Sequence, residues 1–346
     1  MDDYQRLVVA QFFESLPNLS PELCHQFVLR HIVPALLPKT TSKVDVQPSA
    51  FQGSMSYTAI LHIHSTHGGH RIVVQFRTEK QDLSGVTEAS CIHGSIVPLV
   101  TYQGMYEELF VYTSPFAEGT PYISVLTSSD DFELPLWKKM AIVMDLADLV
   151  TRGARANNVP PDTAIVELTT TLDKTQHAVN DYAFQNISVR TSISACVSYV
   201  LSQLHNIVTL PLTLTHQDLS PFNYLIDLST GNVKAVLDWD GALYLPVGSN
   251  FHFLDSLFGF MTLKGWQDAD DRHELEAAFY DRALDSLAAQ GYKGITKEKL
   301  ELQKAIGMLL YGVERLLKSK DEHSEHYLDG YLRGLSFMKE PISSSY

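Results

Sequence analysis

Between residues 213 and 240 the chain reads TLTHQDLSPFNYLIDLSTGNVKAVLDWD, and four of its side chains have the types and spacing to do chemistry together. His216 and Asp218 flank Gln217, Asn223 follows five positions after the aspartate, and Asp238 comes near the end of the stretch. Asp218 and Asn223 share one short loop, so one can face an attacking hydroxyl while the other faces a metal ion. Between Asn223 and Asp238 lie an apolar run from Tyr224 to Ile226, a Ser229-Thr230-Gly231-Asn232 turn and a second apolar run from Val233 to Leu237. That pattern predicts a β-hairpin. A hairpin folds back, so Asp238 returns close to Asn223 and two oxygen ligands converge, as Mg²⁺ prefers.

Taken singly, these pieces say little. A His-x-Asp pair is common, and an isolated Asp-Trp-Asp is more often an acidic turn than a metal site. Their order, loop then hairpin then aspartate, matches the phosphoryl-transfer template H-x-D-x-x-x-x-N with a second metal-binding aspartate downstream. In that template Asp218 orients or deprotonates a hydroxyl, and Asn223 and Asp238 are the metal ligands. His216, the other candidate catalytic residue, is expected to brace the loop rather than transfer protons.

On these residues, THQDLSPFN…AVLDWD, the chain resembles the aminoglycoside phosphotransferase and choline-kinase-like superfamily. Its signature is a His-Gly-Asp-[Leu/Ile]-x-x-x-Asn loop followed by Ile-Asp-Trp. The chain is most similar to the fungal branch, through Asp238-Trp239-Asp240-Gly241-Ala242, Leu245-Pro246-Val247-Gly248 and Leu254-Asp255-Ser256-Leu257-Phe258-Gly259. Gln217 stands where the family usually has Gly. The resemblance is sharp over only about a fifth of the chain, so its weight rests on motif order. It implies an α+β, bilobal protein-kinase-like fold with a small antiparallel-sheet N-lobe, residues 1–113, and a larger, mainly helical C-lobe, residues 114–346. It also implies ATP and Mg²⁺ as cofactors, with nucleotide in the cleft.

The elements that must position these groups are legible to different degrees. Residues 2–16 predict an amphipathic helix, and Ser20-Pro21 predicts the cap and first turn of a second one running to about Leu37, kinked or ended by Pro34. From Val44 the pattern turns to strands, about five in all, with a hairpin at Thr66-His67-Gly68-Gly69. Before the second strand, Gly53, Ser54 and Ser56 are candidate nucleotide-phosphate contacts. Alone they read as a simple turn, but family members carry Gly-x-x-[Ser/Asn] at that position. Arg77 ends the third strand where kinases place a lysine; a guanidinium can hold phosphate but is not equivalent to an ammonium. Glu88, on a helix of roughly 80–92, is its candidate partner. Ser114-Pro115-Phe116-Ala117-Glu118-Gly119 reads as the hinge that meets adenine, with Thr113, Phe116 or Ala117 supplying the contacts because proline has no N–H.

Further on, Leu136 to Ala154 predicts a strong core helix. Residues 155–178, with Asn157-Asn158 and Pro160-Pro161, read as irregular. Helices are expected near 192–206, 267–290, 297–318 and 321–338. Asp268, Asp270, Asp271, Glu274 and Glu276 are the usual acidic start of a solvated helix, and less often a cation site. His62, His64, His67 and His70 lack a completing acid or cysteine and are read as structural.

Composition narrows the partners. A net charge of −14 argues against nucleic acid, whose binders carry basic patches, and is compatible with a cationic small-molecule substrate. Three scattered cysteines suggest a reducing compartment, and the acidic start of MDDYQRLVVAQFF does not resemble a signal peptide, so a cytoplasmic location is expected. No stretch approaches membrane-span length. The first functional expectation is ATP·Mg-dependent phosphorylation of a small-molecule hydroxyl. The rival is a kinase-like scaffold without phosphotransfer, suggested by the thin glycine loop, the missing lysine and Gln217. A protein kinase is the weakest choice, since no Asp-Phe-Gly or Ala-Pro-Glu follows Asp238.

Overall fold

Ser20 sets the first boundary of the fold. Its hydroxyl accepts the N–H of Leu23, and Pro21 occupies the first turn, where its missing N–H costs nothing. The computed structural model describes residues 3–37, 43–53, 55–64, 69–127, 134–184, 186–262, 265–313, 322–333, 335 and 337. Within them the chain divides into two compact units, Met1–Glu118 and Gly119–Tyr346.

The first unit opens with α1 (Asp3–Glu14) and α2 (Pro21–Phe27). A π turn, Val28–Ile32, then leads into α3 (Val33–Leu36). The wide turn falls just before Pro34, where the ring would clash with the carbonyl four residues back in a regular helix. The helix thus passes the proline before ending at Leu36. Five antiparallel strands follow: β1 (Lys43–Pro48), β2 (Ser56–His64), β3 (His70–Arg77), β4 (Thr101–Tyr106) and β5 (Leu109–Pro115), in the order β1-β2-β3-β5-β4. Alternation on β2 buries Tyr57, Ala59, Leu61 and Ile63 on one face, and Val74, Phe76, Leu109 and Val111 join them from β3 and β5. Phe12, Leu16, Cys24 and Val28 from the helices close this core. Helix α4 (Ser84–His93) stands between β3 and β4. β5 runs on to Pro115, and the Phe116 N–H donates to the Arg71 carbonyl, so residues 114–118 stay with this sheet. Of the turn expected at Thr66-His67-Gly68-Gly69, residues 66–68 lie outside the described residues.

The second unit contains β6 (Thr120–Pro121), α5 (Tyr122–Leu126) and α6 (Leu136–Thr151). α6 stops short of Ala154 because Gly153 turns left-handed at φ +70°. Contrary to the irregular segment expected over 155–178, α7 runs from Pro161 to Asp181. Pro161 sits in its first turn, so the Pro-Pro pair that looked like a loop is a helix start. Then come α8 (Ile187–Ser202), α9 (Leu204–Ile207), β7 (Leu212–Thr215), β8 (Tyr224–Ile226), β9 (Val233–Val236) and β10 (Leu243–Pro246). A 3₁₀ segment, Val247–Leu254, leads to α10 (Asp255–Phe258) and the β11 (Gly259–Thr262) and β12 (Gly265–Asp268) hairpin. α11 (Arg272–Ala289), α12 (Lys297–Gly307) and α13 (Glu322–Arg333) complete the unit. Its core draws on α7, α8, α12 and α13, through Leu172, Val179, Ile193, Val197, Ile306 and Leu328. Among the described residues no helix is long and apolar enough to cross a membrane.

Candidate active site

The hairpin forms as its residues dictate. β8 pairs with β9, Tyr224 opposite Val236, and Gly231 closes the turn at φ +79°. Asp227 shapes that turn by accepting the N–H and hydroxyl of Ser229, at 2.8 and 2.6 Å, bonds that hold its carboxyl below the usual range. The turn is fastened to α6. Asp145 accepts the Val233 N–H at 2.8 Å and the Asn232 amide at 3.1 Å, and the Lys138 ammonium donates to the Leu228 carbonyl at 2.6 Å. At the other end the Leu237 N–H donates to the Asn223 carbonyl at 2.7 Å. Asp238 therefore follows directly from a residue bonded to Asn223.

The loop that carries Asp218 hangs from a buried histidine. His216 is fully buried; its Nδ1 accepts the Asp218 N–H at 3.1 Å, so the ring proton is on Nε2 and donates to the Leu237 carbonyl at 2.7 Å. Burial holds the imidazole below its ordinary pKa and hence neutral, partly opposed by the Leu237 bond and the charges of Asp238 and Asp218. Trp239 packs edge-on against the ring at 4.8 Å. With both ring nitrogens engaged, His216 braces the loop and has no atom left for proton transfer.

Asn223 donates its Nδ2 to the Asp218 carbonyl at 2.7 Å and to the Asp218 carboxylate at 3.1 Å. The planar amide then presents Oδ1, an acceptor, on its other side. Asp218 and Asp238 are both exposed. Asp238 adopts φ +57°, one of two non-glycine residues in the left-handed region among the described residues. Backbone held in that region is found at functional sites more than elsewhere. An exposed carboxylate and the oxygen of a half-buried amide suit Mg²⁺, which takes one or two protein oxygens and fills its shell with water and phosphate. Among the described residues no group of three His, Cys, Asp or Glu side chains could hold a metal unaided.

In the first unit, Ser56 and Arg77 are direct cross-strand partners on β2 and β3. Ser56 is buried, and its hydroxyl accepts the Gln75 amide at 3.0 Å. Its N–H points back to the Gly53 carbonyl, 3.4 Å away, so Gly53 and Ser56 belong to one turn. Ser54 lies outside the described residues. Glu88 is on the exposed side of α4. Phe116 spends its N–H on Arg71, and its ring lies 3.8 Å under the Arg71 guanidinium, which also pairs with Glu118 at 2.5 Å. Of the hinge contacts expected, the Phe116 amide is thus already committed. Thr113 is buried, its hydroxyl accepting from Gln103 at 2.8 Å.

The structure adds residues that motif reading passed over. Asp255, noticed only as part of a pattern, is completely buried and pairs with Lys304 at 2.7 Å and Arg272 at 2.9 Å. Arg272 reaches on to Asp268 at 2.6 Å, which accounts for one member of the acidic cluster; Asp271 pairs with Lys139 at 2.8 Å. His252, on the 3₁₀ segment, lies near enough to Asp218 to feel its charge, while burial keeps its imidazole below the ordinary range. An aspartate inside a Leu-x-x-Leu pattern was the one sign of the buried pair available from sequence. His62 and His64 stack on each other, and His64 pairs with Asp45 at 2.6 Å; His67 lies outside the described residues.

Comparison with known proteins converges on the same unit. Residues 166–292, which include all four hairpin and loop residues, match the family described as the phosphotransferase enzyme family. No curated protein matches the chain. Among the solved structures that resemble it over nearly its whole length are three kinases. A choline kinase from Cryptosporidium parvum is 12% identical with a TM-score of 0.53, over 92% of this chain and 95% of that one. An ethanolamine kinase from Plasmodium vivax is 13% identical with a TM-score of 0.54, over 99% and 95%. A glucosamine kinase in complex with glucosamine, ADP and inorganic phosphate is 13% identical with a TM-score of 0.51, over 91% and 83%. At such identities the likeness establishes the fold: an α+β, protein-kinase-like fold with a sheet-bearing N-terminal unit and a helical C-terminal one.

Proposed function

We propose that this chain, which shares its fold with choline, ethanolamine and glucosamine kinases and matches the phosphotransferase enzyme family over residues 166–292, transfers a phosphoryl group from ATP to a hydroxyl of a small molecule. One observation carries the proposal: Asn223 donates to the Asp218 carboxylate while its own carbonyl accepts from Leu237, the residue before Asp238. A base and a metal pair thereby share one hydrogen-bonded frame. Asp218 accepts the acceptor's hydroxyl proton or orients that hydroxyl for in-line attack, and the Asn223 amide keeps its carboxylate turned to one side. Asn223 Oδ1 and the Asp238 carboxylate are the residues that would hold Mg²⁺, which would supply positive charge to offset that of the phosphates. Arg77, with Gly53 and Ser56, is the proposed contribution of the first unit to the phosphates, and ATP as the donor is supported by the ADP in the glucosamine kinase. The names of the three relatives describe small hydroxylated amines as acceptors, and a net charge of −14 suits a cationic one.

Asp218→Asn tests this. It keeps the shape and loses the charge and most of the basicity. The variant should bind Mg·ATP like wild type, while phosphorylation of the acceptor, followed as added mass, falls by roughly 10²–10⁴-fold. Choline, ethanolamine and glucosamine are the first acceptors to offer. Product formed without ATP, and equally well by Asp218→Asn, would leave a kinase-like scaffold that has been put to another use.

A further inference from the structure

Phosphoryl transfer of this kind requires the loop bearing Asp218 and Asn223 to keep a fixed spacing from the turn bearing Asp238. On one side that spacing is set by the main-chain bond from Leu237 to Asn223 and by the His216 ring donating to the Leu237 carbonyl. On the other side the chain leaves Asp238 and turns through Gly241 at φ +71°. There the Gln217 side chain reaches across, its Nε2 donating to the Gly241 carbonyl at 2.5 Å. Gly241 leaves just enough room, since a Cβ added to it would stand 3.4 Å from Cδ, Nε2 and Oε1 of Gln217. The amide therefore lies flat against the glycine. Gln217 is also the place where the chain departs from the superfamily pattern, which has glycine there and no side chain to make such a bond.

We propose that Gln217 is a positioning residue for the metal site: it clamps the turn after Asp238 to the residue before Asp218, fixing the approach of Asp238 to Asn223 before nucleotide arrives. The proposal rests on the phosphotransferase reading of the site. The residue type fits the task. An amide donates to a carbonyl where a carboxylate would repel it, and asparagine is one methylene too short for the span. Gln217 is partly exposed, so a single hydrogen bond there adds little to global stability. Its effect belongs in the metal dependence of nucleotide binding rather than in folding.

Calorimetric titration of the full chain with ATP, in Mg²⁺ and in EDTA, separates these. Gln217→Met keeps the bulk and loses the donor; Gln217→Ala loses both. Both variants should match wild type in ATP affinity in EDTA and in ligand-free melting temperature, yet lose about three- to tenfold of the affinity that Mg²⁺ adds. Wild-type Mg²⁺ enhancement in both variants, or an equal loss of ATP affinity with and without Mg²⁺, overturns the proposal. Should Gln217→Ala fail to fold, Gln217→Met gives the same discrimination. Wild-type protein with no Mg²⁺-dependent ATP binding would remove the phosphotransferase reading itself and this proposal with it, an outcome visible before any variant is made.

Discussion

The Nε2–H of His216 ends on the carbonyl of Leu237, 2.7 Å away, and this one bond ties the base of the Asp218 loop to the hairpin that leads into Asp238. The companion bond, from the Asp218 N–H to Nδ1, needs the neutral ring, because a protonated Nδ1 cannot accept. Burial lowers the His216 pKa from its ordinary 6.5, and His25 and His252 shift the same way, again chiefly through burial. As pH falls through 6.5 the unfolded chain takes up protons that the folded chain refuses, so stability declines from there down to the depressed folded values. Melting temperature measured between about pH 7.5 and about pH 5.5 should fall with pH, more steeply than in His216→Gln. Parallel slopes in the two proteins would mean that His216 titrates alike in both states.

Asp238 offers a test that separates function from folding. Its left-handed backbone costs an aspartate about 1 kcal/mol, and glycine would remove that cost while adding a similar loss of chain entropy on folding. Asp238→Gly should therefore melt within a few degrees of wild type and lose Mg²⁺-dependent ATP binding altogether. Retained Mg·ATP affinity in that variant would exclude Asp238 as a ligand.

Arg77 stands opposite Ser56 at the end of its strand, and a phosphate there would meet a planar cation. Arg77→Ala should weaken ATP binding by roughly tenfold or more, and Arg77→Lys should recover part of it through charge alone. Equal affinity in all three proteins would place the nucleotide elsewhere.

The Asp255–Lys304 pair lies beneath the 3₁₀ segment with both partners almost wholly buried. Asp255 has a second cation, Arg272, but the buried Lys304 ammonium pairs with Asp255, so Asp255→Asn strands Lys304 and should cost about 3–5 kcal/mol. Lys304→Met in the Asp255→Asn background removes the stranded ammonium and should cost little more, or restore some stability, by chemical denaturation. Additive losses would show that the pair is not coupled.

The parts of the fold that could be read from sequence are those where one residue type has one local use. Ser20 and Pro21 start a helix, Gly231 turns a hairpin, and Asp218, Asn223 and Asp238 stand at intervals that a loop and a hairpin convert into proximity. What stayed hidden depends on partners distant in the chain. The 155–178 stretch looked like a loop because Asn157-Asn158 and Pro160-Pro161 are turn residues, while the apolar positions of α7 gain meaning only against α8, where Leu172 and Val179 meet Val189 and Ile193. Asp255 could not be told from a surface acid until α11 and α12 brought Arg272 and Lys304 to it. Gln217 was visible as a departure from pattern, but its partner lies across a turn whose course only the structure shows.

Most of the frame around the site is asymmetric in what it asks of sequence. Leu237, Gly241 and Asn223 each accept through a main-chain carbonyl, which any residue possesses, whereas His216 and Gln217 must supply a side-chain donor of fixed length. Mutational tolerance at the site should therefore be lopsided: Leu237 can drift among apolar residues while His216 cannot drift at all. The fold asks little of most other positions, and two kinases share it with this chain over more than nine-tenths of its length at only 12–13% identity.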